Sequence, residues 1–533
     1  MVERKDVMNK LPSSIFNDVI GPIMRGPSSS HVAGASRIAA IVRQSLNNDV
    51  KKVIVDFDVN GSLASSHDGH GTDMGFVSGI LGLPVTDPNV ANYVDLAAKA
   101  GIDIEFRILD YGAVHPNHYR MSATGKEGYS HDWEGVSVGG GMVEMQKYDG
   151  FDVKMSGDFH ELLIKADCSE KSADDILDII KSHFPDIDLT LIDKKNKQVL
   201  FELKFASKPS ADALEAIKRE KYITDVVYIE PILPTHSSAR CVVPFLSSKE
   251  LIKLAKNDPR EMWEFALLYE SARGNTTKED VFQKMSDIVD IMENCIEEGL
   301  RGTEYKDRIL GFQSYKIDEA AKKGKLVPCD LLNTVIKYIT AVMEVKSSMG
   351  VIVAAPTAGS CGCLPGTIIG VGKSMGLSHN EMTKGMLVAG LIGIFIAESA
   401  TFAAEVAGCQ VECGAGSSMA AAGVAQLLGG SVEECVNAAS FALQNVTGLA
   451  CDPVANRVEV PCLGKNIMGG SNAISSANIA LAGYDKVIPL DQTIKAIYDI
   501  GLKLPLELRC TFGGLGKTEE SLKIRKKLEE TAG

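Results

Sequence analysis

Three patterns of apolar and polar positions follow one another along the 533 residues. Over 1–152, short apolar runs are separated by glycine-rich stretches. VKKVIVDFDV (50–59) and IDIEFRIL (102–109) read as strands, GTDMGFVSGILGL between them as the start of a helix, and VAGASRIAAIV after GPSSSH as another. This predicts an α+β domain whose histidines sit in loops or at the ends of elements. Over 153–236 the pattern becomes more regular. ELLIKAD is a strand, SADDILDIIKSHF an amphipathic helix with Ser172 as N-cap and acids in its first turn, and DLTLID and VLFELKFA are strands joined by KKNK. SADALEAIKRE is a second helix and TDVVYIEPI a last strand, so the order is β-α-β-β-α-β, a small ferredoxin-like unit.

Over 237–533 the periodicity is helical throughout. SSKELIKLAKN and TKEDVFQKMSDIVDIMENCIEEGL are amphipathic, and after residue 350 small residues dominate and charges thin out, the composition of closely packed helices. The most apolar run, Gly385–Ala397, is too short to span a bilayer and reads as a buried helix. The fold class expected is therefore multidomain: an α+β N-terminal domain, a small ferredoxin-like domain and an all-α C-terminal domain.

Charge narrows the partners. A net charge of −14 argues against nucleic acid. No apolar leader core is visible at the N-terminus and no membrane span is expected, so the expected location is the cytoplasm. Twelve cysteines in such a chain point to reduced thiols or metal ligands rather than disulfides, and most lie in the C-terminal half.

Four constellations carry candidate chemistry. In GPSSSH, Ser28, Ser29 and Ser30 before His31 offer hydroxyls and backbone N–H groups suited to a carboxylate, or equally a helix N-cap. In HDGHGTD, His70 is framed by glycines and can come close to a ligand, with Asp73 placed to orient it or to cap the next helix. In HPN, His115 is held extended by the following proline, with Asn117 beside it. Histidine is the usual general base near neutral pH. Cys409, Cys451 and Cys462 match neither a zinc ribbon nor a ferredoxin run, but each sits at a turn rather than on an apolar helix face. Buried packing thiols and metal ligands both remain open on this reading.

Taken together these residues resemble the iron–sulfur-dependent L-serine dehydratases. GPSSSH, NGSLASSHDGHGTD and HPN resemble the β part of that family. APTAGSCGCLPG, GCQVE followed by SSMAAAG, and CDPVANRVEVPC resemble its α part, and the middle segment resembles an ACT regulatory domain. The resemblance implies a [4Fe–4S] cluster on Cys409, Cys451 and Cys462, with one iron open to substrate. It implies acid/base roles for His70 and His115, with His70 favoured as base. It also implies an amino-acid substrate whose carboxylate is held by Ser28, Ser29 and Ser30, in a pocket to which His31, Asn117, Thr357 and Gly359 belong, and a homodimer. Two departures stand out. Asp68 occupies the position where the family usually has lysine, and the chain ends in Thr-Ala-Gly where some relatives end in a cysteine that reaches the open iron. Cys510 is the candidate for that fourth position, while Cys361, Cys363 and Cys413 read as packing residues. Competing readings are a cysteine desulfidase-type lyase on the same cluster, a pyridoxal-phosphate enzyme using Lys373 or Lys465, and a non-catalytic amino-acid or redox sensor.

Overall fold

The strand expected at 50–59 forms as Val50–Asp58 in the computed structural model, which describes residues 11–532. The absence of an apolar leader core was read largely from residues 1–10, which lie outside the described residues. Val50–Asp58 pairs in parallel with Asp103–Leu109, the other expected strand, and antiparallel with His118–Gly125. Three further antiparallel strands, Ser130–Gly139, Met142–Tyr148 and Phe151–Met155, complete a six-stranded sheet. The four strands from His118 to Met155 were not singled out in the sequence, because glycines interrupt their alternation. The period is nonetheless there: Tyr119, Met121, Ala123, His131 and Trp133 are all buried.

Two helices, Gly34–Ser45 and Thr72–Leu81, cover the inner face of this sheet through Ile38, Val42, Phe76 and Ile80. They approach to backbone contact. A Cβ at Gly75 would lie 2.1 Å from the Val32 carbonyl oxygen, and one at Gly79 would lie 2.2 Å from that of Ser36. These two glycines, one turn apart on the same helix face, let the segment after Ser28–His31 seat against the segment after His67–Gly71. The candidate serine and histidine loops are adjacent because of this contact.

The second unit forms with its elements in the expected order. Its strands lie in the spatial order Ile223–Ile229, His160–Asp167, Gln198–Phe205 and Leu189–Lys195, all antiparallel. The Ser172 hydroxyl accepts the Asp175 N–H at 3.2 Å, the cap expected for Ala173–His183. One face of this sheet carries Ile176, Ile180 and Ile217 from the two helices, while Leu163 and Leu200 on the other face join the core of the first sheet.

From Ser248 onward, regular structure is helical apart from the two-residue strand Ile352–Val353. Cys413–Leu427 runs through the middle, buried from Cys413 to Gln426 and flanked by His379–Ser399, Val432–Gln444, Cys462–Leu481 and Cys363–Met375. His379–Ser399 contains the apolar Gly385–Ala397 run. It is long and apolar enough to cross a membrane, yet 78% of its apolar window is buried inside the protein. The start of the chain also belongs here: Ile15–Val19 is embedded in the helical core, and Ile23–Met24 pairs with Ile352–Val353.

Substituting the closest of these contacts tests the packing argument. Gly75→Ala should lower stability by about 1–3 kcal/mol through overpacking against Val32. Gly311→Ala, where an added Cβ meets nothing within 4 Å, should stay within about 0.5 kcal/mol of the parent. Thermal unfolding of the two variants side by side checks this.

Candidate active site at the domain junction

His31 is completely buried. Its Nδ1 meets the Ser28 hydroxyl at 2.9 Å and its Nε2 meets that of Ser66, also at 2.9 Å, so both ring nitrogens are engaged. The ring edge packs on His70 with centroids 4.6 Å apart. Burial, reinforced by the neighbouring imidazoles, holds His31 well below the ordinary histidine value. His70 is also fully buried, and burial together with the Arg457 and Lys346 charges lowers it to about 4. The expectation that Asp73 orients His70 is corrected. Asp73 pairs with His67, Nδ1 to Oδ1 at 2.7 Å, because His70 turns inward while His67 stays at the rim.

The serine loop is a junction between domains. Ser29 Oγ accepts the Ala358 N–H at 3.2 Å, which leaves its own O–H available as a donor, and the Ser30 carbonyl accepts from the Ser137 hydroxyl at 2.8 Å. Ala358 lies in a tight turn closed by Thr357 and Ser360, each accepting the other's N–H through its hydroxyl. The Gly359 carbonyl accepts from Asn466 Nδ2 at 2.9 Å, and a Cβ at Gly359 would meet Val458 at 3.3 Å and the Glu412 carboxyl at 3.6 Å. Asn117 is buried. His115 stands at the edge of this group: its Nδ1 accepts the Asn117 N–H at 3.1 Å, and burial beside His118 lowers its pKa.

On the helical side, Cys409 and Cys451 lie in one buried cluster with Cys413 and Cys510. Cys510 is brought there by a β-bridge: the Cys451 N–H donates to the Leu508 carbonyl at 2.8 Å, and the Cys510 N–H to the Cys451 carbonyl at 2.9 Å. Cys462 opens the helix Cys462–Leu481 beside them, and burial pushes its thiol up to about 12. Hydrogen bonds from the Cys413 and Cys451 thiols hold Cys409 well below the usual thiol value. The field of Lys465 acts in the same direction, its ammonium being fixed by Asp452 at 2.8 Å and the Ala450 carbonyl at 2.6 Å. Lys373, by contrast, is a half-exposed residue paired with Glu293 at 2.6 Å.

The sequence reading missed the two acids that flank Cys409. Glu405 is 4% exposed, and its carboxyl approaches His31 Nδ1 at 3.8 Å and faces the Asn117 amide. Glu412 faces Thr357. Burial raises both above the ordinary carboxyl value. Their signal in the sequence was two acids in an otherwise charge-poor, small-residue segment. Around them, the ring nitrogens of His70, the amide of Asn117, and the hydroxyls of Thr72 and Tyr119 are buried with no hydrogen bond of normal length and angle, although His70 faces Asn456, Asn117 faces Glu405 and Thr72 faces Tyr119. Unpaired buried polar groups are costly, and a concentration of them marks a place where a ligand completes the bonding. The thiols fit a sulfur-ligated group. Among the described residues, the sets compact enough to hold a single ion are His131, Asp149 and Asp225, and Asp290, Glu293 and His379.

Comparison with known proteins finds two family matches along the chain. Residues 236–515 match the family model described as serine dehydratase alpha chain, and residues 16–102 match serine dehydratase beta chain. The probable L-serine dehydratase alpha chain of Bacillus subtilis (strain 168) is 36% identical over 285 residues, 53% of this chain and 95% of that protein. The probable beta chain of the same organism is 38% identical over 151 residues, 28% of this chain and 67% of that protein. L-serine dehydratase 2 of Escherichia coli (strain K12) is 26% identical over 522 residues, 92% of this chain and 95% of that protein. With both parts carried in one polypeptide and meeting at His31 and Glu405, this chain belongs to the serine dehydratase family.

Proposed function

We propose that the chain eliminates water from L-serine to give pyruvate and ammonia, at the junction between the His31–His70 loops and the cysteine loops. The observation that carries this reading is the approach of Glu405 to His31. It sets the thiol cluster, which begins four residues later at Cys409, against the buried histidines of the other domain.

The chemical difficulty is a weakly acidic α-proton and a poor leaving group. His70 takes the α-proton, since burial keeps its ring neutral at pH 7. The C–H electron pair becomes the Cα–Cβ double bond as the β-hydroxyl departs with a proton as water. The aminoacrylate product tautomerises to the imine and hydrolyses to pyruvate and ammonia. The Ser29 O–H and the loop N–H groups hold the substrate carboxylate. His115 acts through Asn117, whose backbone N–H it accepts and whose amide faces Glu405.

Cys409, Cys451 and Cys462 would hold a [4Fe–4S] cluster, with Cys510 at the fourth, displaceable position. When bound, such a cluster supplies Lewis acidity toward the substrate hydroxyl. Lys465, weighed as a pyridoxal-phosphate lysine, is instead tied to Asp452 and the Ala450 carbonyl, where its charge favours thiolate at Cys409.

Two sets of variants test the assignment in the full-length protein. His70→Ala should lower kcat about 10²–10⁴-fold while keeping the iron and acid-labile sulfide of the parent; a parent rate would remove His70 from the mechanism. Cys409→Ser, Cys451→Ser and Cys462→Ser should each lose bound iron on anaerobic purification, whereas Cys510→Ser should retain it. Full iron content in any of the first three would remove that cysteine from the ligand set.

A further inference from the structure

His70 is not oriented by its own domain. Within its domain the ring packs edge-on against His31, and the oxygens that face its nitrogens are those of Asn456. The segment that closes on it from the other side belongs to the helical domain. There Ala455 and Asn456 both take left-handed backbone, with φ of +50° and +56°. For alanine this conformation costs about 1–2 kcal/mol, so the loop must be held. The Ala455 N–H donates to the Ser521 hydroxyl at 2.8 Å, from the C-terminal helix Glu519–Ala532, and the Val454 N–H donates to the Val460 carbonyl at 2.8 Å. Ser521 is itself buried.

Held in this way, Asn456 reaches across the domain boundary. Its Nδ2 donates to the Ser65 carbonyl at 2.7 Å, one residue before Ser66, whose carbonyl accepts the His70 N–H at 2.8 Å. The same serine, Ser66, binds His31 through its hydroxyl. The Asn456 carbonyl oxygen stands 3.3 Å from the position a Cβ would occupy at Gly69, so the loop packs closely on the residue before His70. A cavity of about 210 Å³, lined by Ser65, His67, Gly69, Asn456, Arg457 and Arg525 among others, opens beside this contact.

We propose that Asn456 is a positioning residue for His70: its amide clasps the turn that carries the histidine, and Ser521 keeps the loop in the conformation that makes the clasp. The proposal rests on His70 being the base, as argued above. The electrostatics run in the same sense. Both oxygens of Asn456 favour the protonated ring, opposing burial and the Arg457 charge, so they assist a ring that gains a proton during turnover.

The test uses full-length, cluster-loaded enzyme in four forms: Asn456→Gly, Ser521→Ala, His70→Ala and the Asn456→Gly/His70→Ala double variant. Glycine keeps left-handed backbone without strain and removes only the side chain. kcat, KM and the isotope effect with α-deuterated L-serine are measured for each. Asn456→Gly should lower kcat about 10–100-fold, the cost of a misplaced catalytic group, with KM changed less than about 3-fold and a larger isotope effect. Ser521→Ala should move kcat and the isotope effect in the same direction by a smaller factor. In the His70→Ala background, Asn456→Gly should cost nothing further, because the two residues act as a unit. An equal additional loss in that background, or parent kcat in Asn456→Gly, would overturn the proposal. Parent kcat in His70→Ala would instead overturn the base assignment itself, and the proposal with it. If Asn456→Gly fails to load iron, Asn456→Asp serves, since aspartate tolerates left-handed backbone and cannot donate to Ser65; the same outcomes apply.

Discussion

His31 and Glu405 meet 3.8 Å apart with almost no solvent reaching either side chain. Burial lowers the affinity of the imidazole for a proton and raises that of the carboxyl, so each is pushed toward its neutral form. A close pair of this kind holds only where the surroundings satisfy its polar atoms. Those surroundings come from both parts of the chain: the hydroxyls of Ser28 and Ser66 on His31, and the Asn117 amide beside Glu405. The remaining polar groups of the junction, from the Thr357–Ser360 turn to Asn456, are arranged around this contact. If the two halves did not meet there, the histidines of one domain and the thiols of the other would share no site.

The packing beneath the junction explains how loops distant in sequence reach it. On the N-terminal side, Gly75 and Gly79 let two helices touch through their backbones, which fixes the serine loop relative to the His67–Gly71 turn. On the helical side, the thiols converge because Cys409 and Cys413 flank the start of the central buried helix, while Cys451 and Cys510 are joined by a backbone bridge. Within the helical domain, Asn466 ties the Thr357–Ser360 turn to the start of the Cys462–Leu481 helix. Its amide donates to the Gly359 and Cys462 carbonyls, and its oxygen accepts the Cys363 N–H.

Much of this was legible in the sequence where structure is local. The strand at Val50–Asp58, the capped helix after Ser172 and the βαββαβ order follow from periodicity and end signals within a few residues. The site motifs were visible because glycine, proline and serine mark loops that carry chemistry. The hairpin strands from His118 to Met155 escaped, since glycine turns break their alternation. That Asp73 pairs with His67 rather than His70 was not legible, because adjacency in sequence does not say which ring turns inward. Glu405 and Asn456 could not be weighted from the chain alone, because their roles depend on partners hundreds of residues away in another domain.

Anaerobic purification, with iron, acid-labile sulfide and pyruvate formed from L-serine measured in the same sample, tests the central claim most directly. The account predicts about four irons per chain and pyruvate production that is lost, together with the iron, on exposure to oxygen. Pyruvate formation at an undiminished rate by iron-free protein, or failure to bind iron even after anaerobic reconstitution, would contradict it.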